Sequence, residues 1–139
     1  MIDSDAELRT ILGEKTIAVV GLSPKPGRPS NSVSHYMQSY GYRIIPVNPA
    51  FDEIMGLQAY PNLSAIPEPV GIVDVFRRAE YTLPIAEEAV AIGAQAFWLQ
   101  LGIVNDAALR VAIEGGLLAV QNRCIKIEHA RLGQHRPGQ

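Results

Sequence analysis

The sequence predicts an α/β fold, a doubly wound sheet of about five parallel strands with helices on both faces. Three observations carry that expectation. Apolar runs of strand length alternate along the chain with amphipathic runs of helix length. The apolar runs lack the alternating polarity of a strand with one face in water, as strands covered on both faces should. The chain has 139 residues, 47% of them hydrophobic and 19% charged, which suits one core and a single domain over 1–139.

The elements follow in order. Ser4-Asp5-Ala6-Glu7 reads as a capping box that opens a short helix within residues 1–15. Thr16–Val20 is the first strand, and Gly21 ends it. A long loop runs from Leu22 to Pro29. Ser30 or Ser32 then caps a helix with Val33, Tyr36, Met37 and Tyr40 on one face, stopped by Gly41. The second strand is Tyr42–Val47, closed by Asn48-Pro49; Pro46 inside it implies a sheet edge or a bulge. Residues 50–68, with Pro61 and Pro67, read as irregular with at most one short helix. Val70–Phe76 is the third strand, followed by a helix over Thr82–Ile92 that tolerates Pro84 in its first turn. Ala96–Gln100 is the fourth strand; Asn105 caps the next helix, which ends at Gly115 or Gly116. Leu117–Val120 is the fifth strand, Arg123–Leu132 a final helix, and 133–139 a frayed tail.

Composition narrows the function classes. No apolar run approaches the ~20 residues of a membrane span, and the polar start MIDSDAELRT does not read as a secretory leader. Cys124 is the only cysteine, so no internal disulfide forms and a cytoplasmic location is expected. A formal net charge of −2 argues against a general nucleic-acid binder. Yet no Asp or Glu occurs from Lys15 to Phe51, while Lys15, Lys25, Arg28 and Arg43 do, which suggests a local anion site.

In a doubly wound sheet of this Rossmann-like kind, ligands lie outside the carboxyl ends of the strands, where strand order reverses. That rule selects residues 21–32, 48–51, 76–78, 100–105 and 121–124. The loop after the first strand is the most informative. The following helix points its N-terminal N–H groups and partial positive charge into it. Lys25 and Arg28 add full charges, and Ser23, Ser30, Asn31 and Ser32 add polar donors, a set suited to phosphate. The dinucleotide fingerprint G-x-G-x-x-G fails, because Ser23 and Pro26 stand where its second and third glycines belong. The triphosphate loop G-x-x-x-x-G-K-[ST] fails too, with Gly27 one residue late and followed by Arg28-Pro29. The second strand also ends in Asn48-Pro49 rather than the acid that grips an NAD ribose.

Gly21-Leu22-Ser23 with Arg28-Pro29-Ser30, Pro46-Val47-Asn48-Pro49, Phe76-Arg77, Trp98-Leu99-Gln100-Leu101-Gly102-Ile103 and Arg123-Cys124 resemble the small stand-alone CoA-binding-domain proteins. Those are similar to the N-terminal domain of the succinyl-CoA synthetase alpha subunit without its partner domains. The resemblance spans about Thr16 to Leu132 and touches all five strand ends. It implies a site for coenzyme A or an acyl-CoA. Gly21, Leu22, Ser23, Lys25, Arg28, Ser30, Asn31 and Ser32 would surround the pyrophosphate. Asn48, Pro49, Phe76 and Arg77 would flank the adenosine, and Gln100, Gly102 and Ile103 would lie along the pantetheine arm. Two departures stand out. Ala50-Phe51 replaces the synthetase lysine that meets a CoA phosphate, and Asn122 stands where the stand-alone family usually has Asp.

The expected role is binding without catalysis. The synthetase histidine lies in a domain beyond this one, and His35, His129 and His135 read as solvated or structural. Glu87 and Glu88 read as a solvated helix face, Trp98 as core, and Asp74 as a buried acid bonded to loop backbone. Phe76 closes a strand at the rim and is a candidate to meet the adenine. Cys124 lies between Arg123 and Lys126 near a helix start; it reads either as a small buried residue filling space or as a thiol that the sulfur of a bound CoA would reach. Three other readings remain: an NAD-type oxidoreductase or nucleotide sensor, a subunit of an acyl-CoA synthetase-like assembly that needs a protein partner, and an interaction module whose site is vestigial.

Overall fold

A computed structural model describes residues 4–133 and 136–137. Most of the tail expected to fray, and His135 with it, therefore lies outside the described residues. Five strands, β1 (Thr16–Val20), β2 (Arg43–Val47), β5 (Ile72–Val75), β6 (Ala96–Leu99) and β7 (Leu118–Val120), pair in parallel in the order β2-β1-β5-β6-β7. The chain winds one way from β1 to β2, then the other way through β5 to β7. Strand order reverses between β1 and β5.

The strands are mainly apolar because their two faces serve two core layers, with Asp74 of β5 the buried exception. Ile17 and Val19 of β1 pack with α1 (Asp5–Leu12), α2 (Pro29–Ser39) and α5 (Ile125–Arg131), while Ala18 and Val20 pack with α3 (Thr82–Ala91) and α4 (Asp106–Glu114). Pro46 sits on the edge strand, as its missing N–H requires. Its carbonyl accepts from the Tyr60 N–H at 3.0 Å, on the side away from β1.

Local differences from the sequence reading have physical causes. Helix α2 begins at Pro29 in its first turn, with Arg28 as an N-cap that makes no side-chain cap bond. Ser30, expected as a cap, turns its hydroxyl back to accept from the Ser23 N–H at 3.0 Å. Residues 50–68 hold a small hairpin, β3 (Glu53–Ile54) and β4 (Leu57–Gln58), around Met55-Gly56 with φ of 59° and 70°. Two positive φ values in a two-residue turn match the right-handed twist of the strands, but Met is a poor signal for such a turn. A 3-10 turn follows at Leu63–Ala65, and Glu88 of α3 holds it, accepting from the Leu63 N–H at 3.1 Å and the Ser64 hydroxyl at 2.9 Å. Glu88 is thus a bracket between elements and not a solvated charge.

The last helix is tied to the first by ions. Glu128 is buried between Arg123 (2.5 Å) and Arg131 (3.1 Å), and Arg131 continues to Asp5 at 2.9 Å. Burial alone would raise the Glu128 carboxyl, but bonds from Arg131 and Arg123 outweigh it and hold it below its ordinary value. His129 is fully buried against the rings of Tyr36, Tyr40 and Tyr42, with Nδ1 3.0 Å from the Tyr36 hydroxyl, a structural role. Among the described residues, no helix is long and apolar enough to cross a membrane.

Candidate functional site

The site forms at the carboxyl ends of β1 and β5, where strand order reverses. Gly21 makes that junction possible. Its φ is +87°, its N–H donates to the Val47 carbonyl at 2.9 Å, and an added Cβ would lie 2.5 Å from the Phe76 carbonyl oxygen. Only glycine lets the loop leaving β1 turn so close over the chain leaving β5.

The loop beyond Gly21 is held by its own polar side chains. Asn31 donates to the Ser23 carbonyl at 3.0 Å, and the Ser23 hydroxyl accepts from the Lys25 N–H at 3.1 Å. Asn48 donates to the Leu22 carbonyl at 3.1 Å while its own oxygen accepts from the Ala50 N–H at 3.0 Å. Ser30, Asn31 and Asn48 therefore shape the loop. Leu22 is fully buried in the core and offers only backbone.

Three hollows meet over this junction. One of about 340 Å³ lies at the start of α2, lined by Gly21, Ser23, Arg28, Pro29, Ser30 and Phe76. A second, about 370 Å³, lies on the α3 face and includes Asn48, Pro49, Asn62, Arg77 and Glu88. The third and largest, about 510 Å³, lies between α2 and α5 on the opposite face. Its walls are mainly apolar: Val33, Phe76, Leu101, Ile103, Cys124 and Ile127. Gly21, Phe76 and Arg77 are shared between hollows, so they form one groove across the sheet's carboxyl edge. The Arg77 guanidinium lies 5.1 Å from the centre of the Tyr81 ring, a cation–π contact that steadies it at this crossing.

Gln100, 3% exposed, floors the largest hollow. Its amide nitrogen donates to Asp74 and its oxygen accepts from the Ile125 N–H at 3.4 Å. Asp74 is 1% exposed and bonds this side chain, not loop backbone as expected from sequence. Burial pushes its carboxyl up to about 7, against the smaller opposing effect of the Gln100 bond. Trp98 beside it is core, its indole N–H donating to the Arg123 carbonyl at 2.8 Å.

Other expected residues fall at varied distances from the groove. Gly102 is exposed, with φ +86°, and donates its N–H at 2.8 Å to Asn122, itself at φ 59°. Through that bond Asn122 joins the loops after β6 and β7. Ser32 and Lys25 are exposed and outside the three linings. Lys15 and Arg43 belong to the opposite end of the sheet, where Arg43 pairs with Glu68 at 2.6 Å, so the acid-free stretch delivers only Lys25 and Arg28 to the ligand side. Cys124 is half-buried in the cleft wall, and Arg123 turns to Glu128. Sequence reasoning passed over Val33 and Ile127, whose helical spacing looked like ordinary packing, and gave no individual role to Leu101 or Arg78, which fall within the strand-end segments.

Residues 15–130 match the CoA binding domain family. The chain is 47% identical over 128 residues to the uncharacterized protein YneT of Bacillus subtilis, covering 91% of this chain and 95% of that one. A solved structure of a hypothetical protein from Pyrococcus horikoshii superimposes with a TM-score of 0.90 at 40% identity, over 94% of this chain and 92% of the other. Part of the chain, 74 residues, is 31% identical to acetate–CoA ligase (ADP-forming) I of Archaeoglobus fulgidus; the match covers 53% of this chain but 11% of that enzyme.

Proposed function

Because the chain belongs to the CoA-binding domain family, we propose that it binds coenzyme A or an acyl-CoA in the groove over Gly21, without catalysing a reaction. The observation that carries this reading is the groove's polarity. Arg28 and the start of α2 lie at one hollow, Arg77 at the crossing, and an apolar cleft at the far end. A nucleotide with phosphates in its middle and a long arm leading toward the mouth of that cleft fits that sequence of environments. Pyrophosphate would meet Arg28 and the first turn of α2, with Lys25 on the loop above. Adenosine would lie by Asn48, Pro49, Phe76 and Arg77, and the arm would pass Gly102 and Ile103. Gly21 shapes the floor of this groove, since a side chain there would meet the Phe76 carbonyl and force the junction apart.

Three ionisable groups that could have served chemistry are already committed within the fold, which supports the non-catalytic reading. Asp74 is sealed under Gln100, Glu88 brackets a turn, and His129 is enclosed by tyrosines. The test is thermal unfolding with CoA and with NAD at equal concentration, because a ligand that binds the native state raises its melting temperature. CoA should raise it and NAD should not; a shift with NAD alone overturns the reading. The partial match to an ADP-forming ligase favours a second reading, a subunit that works with a partner chain. Capture of a stoichiometric partner that confers thioester formation on the complex would establish it.

A further inference from the structure

The apolar end of the groove bears on the class of ligand, a step that rests on the coenzyme A reading above. Its walls are Val33, Phe76, Leu101, Ile103, Cys124 and Ile127, and its floor is Gln100. The Gln100 amide is committed at both ends, to Asp74 and to the Ile125 N–H. An arm rich in amides would bury polar groups in that cleft with few partners, which is unfavourable. A hydrocarbon chain needs none. At the mouth, Leu101 is 63% and Ile127 54% exposed, apolar surface that a hydrocarbon would cover. At the same rim stand Arg77 and Arg78. Cations beside an apolar cleft complement an amphipathic anion, charged at one end and greasy at the other.

We propose that the cleft between α2 and α5 holds the hydrocarbon chain of a medium-length acyl thioester of coenzyme A. The protein's ligand is then the acylated form in preference to the free thiol. The arm crosses the mouth by Gly102 and Ile103, and the acyl group runs inward beside Val33, Cys124 and Ile127. The volume of about 510 Å³ is that of an ordinary small-molecule pocket.

The experiment is calorimetric titration of the whole chain with CoA and with acetyl-, butanoyl-, hexanoyl- and octanoyl-CoA. Affinity should rise along the series, by about tenfold or more from acetyl to octanoyl, a fraction of what full burial of each methylene would give in this open cleft. Ile127→Asp should flatten that slope. Ile113→Asp, on α4 away from the groove, should keep it. A flat series with CoA still bound overturns the acyl proposal and leaves the coenzyme A reading standing. No binding by any member overturns both. If the series is flat and Ile127→Asp converts a dimer to a monomer in sedimentation, the cleft is a contact between copies of the chain, and the acyl proposal falls.

Discussion

Asp74→Asn should make the protein more stable at pH 8 and leave it nearly unchanged at pH 4. The wild-type carboxyl is 1% exposed, and its value rises from 3.8 to about 7 on folding, chiefly through loss of water. At about 1.36 kcal/mol per pH unit, a rise of that size corresponds to about 4 kcal/mol. The sign follows from proton uptake: between those two values the folded state holds more protons than the unfolded one. The stability this group contributes is fully present below pH 3.8, falls as pH rises, and is gone above about 7. Asparagine keeps an oxygen for the Gln100 amide and cannot ionise. Urea unfolding of both proteins from about pH 4 to 8 measures the difference, and subtraction removes the histidines and the ion-paired acids common to both. The expected difference opens by a few kcal/mol in favour of Asn across that range. A difference that stays flat would show Asp74 to be ionised in the fold at ordinary cost and refute the reasoning.

Gly21→Ala should cost about 3 kcal/mol in unfolding experiments and abolish CoA binding, since it joins a left-handed backbone to a contact of 2.5 Å with Phe76; a silent substitution would mean the junction can open. Arg28→Ala should weaken CoA binding by about 1.5–3 kcal/mol in calorimetry with little change in apo stability, because Arg28 is an exposed loop residue; unaltered affinity would remove it as a phosphate ligand. Glu128→Gln should cost about 2 kcal/mol at pH 7, less than a fully buried pair, as Arg123 and Arg131 are partly exposed. Since its carboxyl is held low, that contribution is present above the ordinary carboxylate range and fades on acidification; a loss equal at pH 7 and pH 3 would contradict the ion-pair account.

The sheet was legible because four of the five strands are short, mainly apolar runs with a glycine, proline or asparagine near the end, and both faces need cover; β5 carries Asp74 and runs on into Phe76-Arg77. The edge position of β2 was legible from Pro46 alone. Strand order was not, since nothing in the residues of β1 names its neighbours; topology enters only through the length and chirality of the crossovers. The hairpin at Glu53–Gln58 was hidden by Met55 in a left-handed turn position that sequence signals assign to Asn or Gly. Charge was the weaker guide to the site. Lys15 and Arg43 strengthened the impression of an anion-binding stretch, yet they stand at the far end of the sheet. The apolar cleft was read only in part: Phe76, Gln100, Ile103 and Cys124 were expected at the site, but Val33 and Ile127 lie on different helices and the sequence treats each as packing.

The polar residues of the site divide into two groups with different consequences. Ser30, Asn31, Asn48 and Asn122 are bonded to neighbouring loops, and Gln100 to Asp74 of β5. They fix the loops before any ligand arrives, so binding has little chain to order. The charged members, Lys25, Arg28 and Arg77, are exposed on that fixed frame. A preformed frame with few exposed cations places discrimination in the frame: the shape of the groove and the apolar cleft decide which ligand fits, and the cations decide how tightly and how fast a polyanion is held. Salt should therefore lower affinity for every phosphorylated nucleotide alike, while the preference for one acyl group over another should survive it.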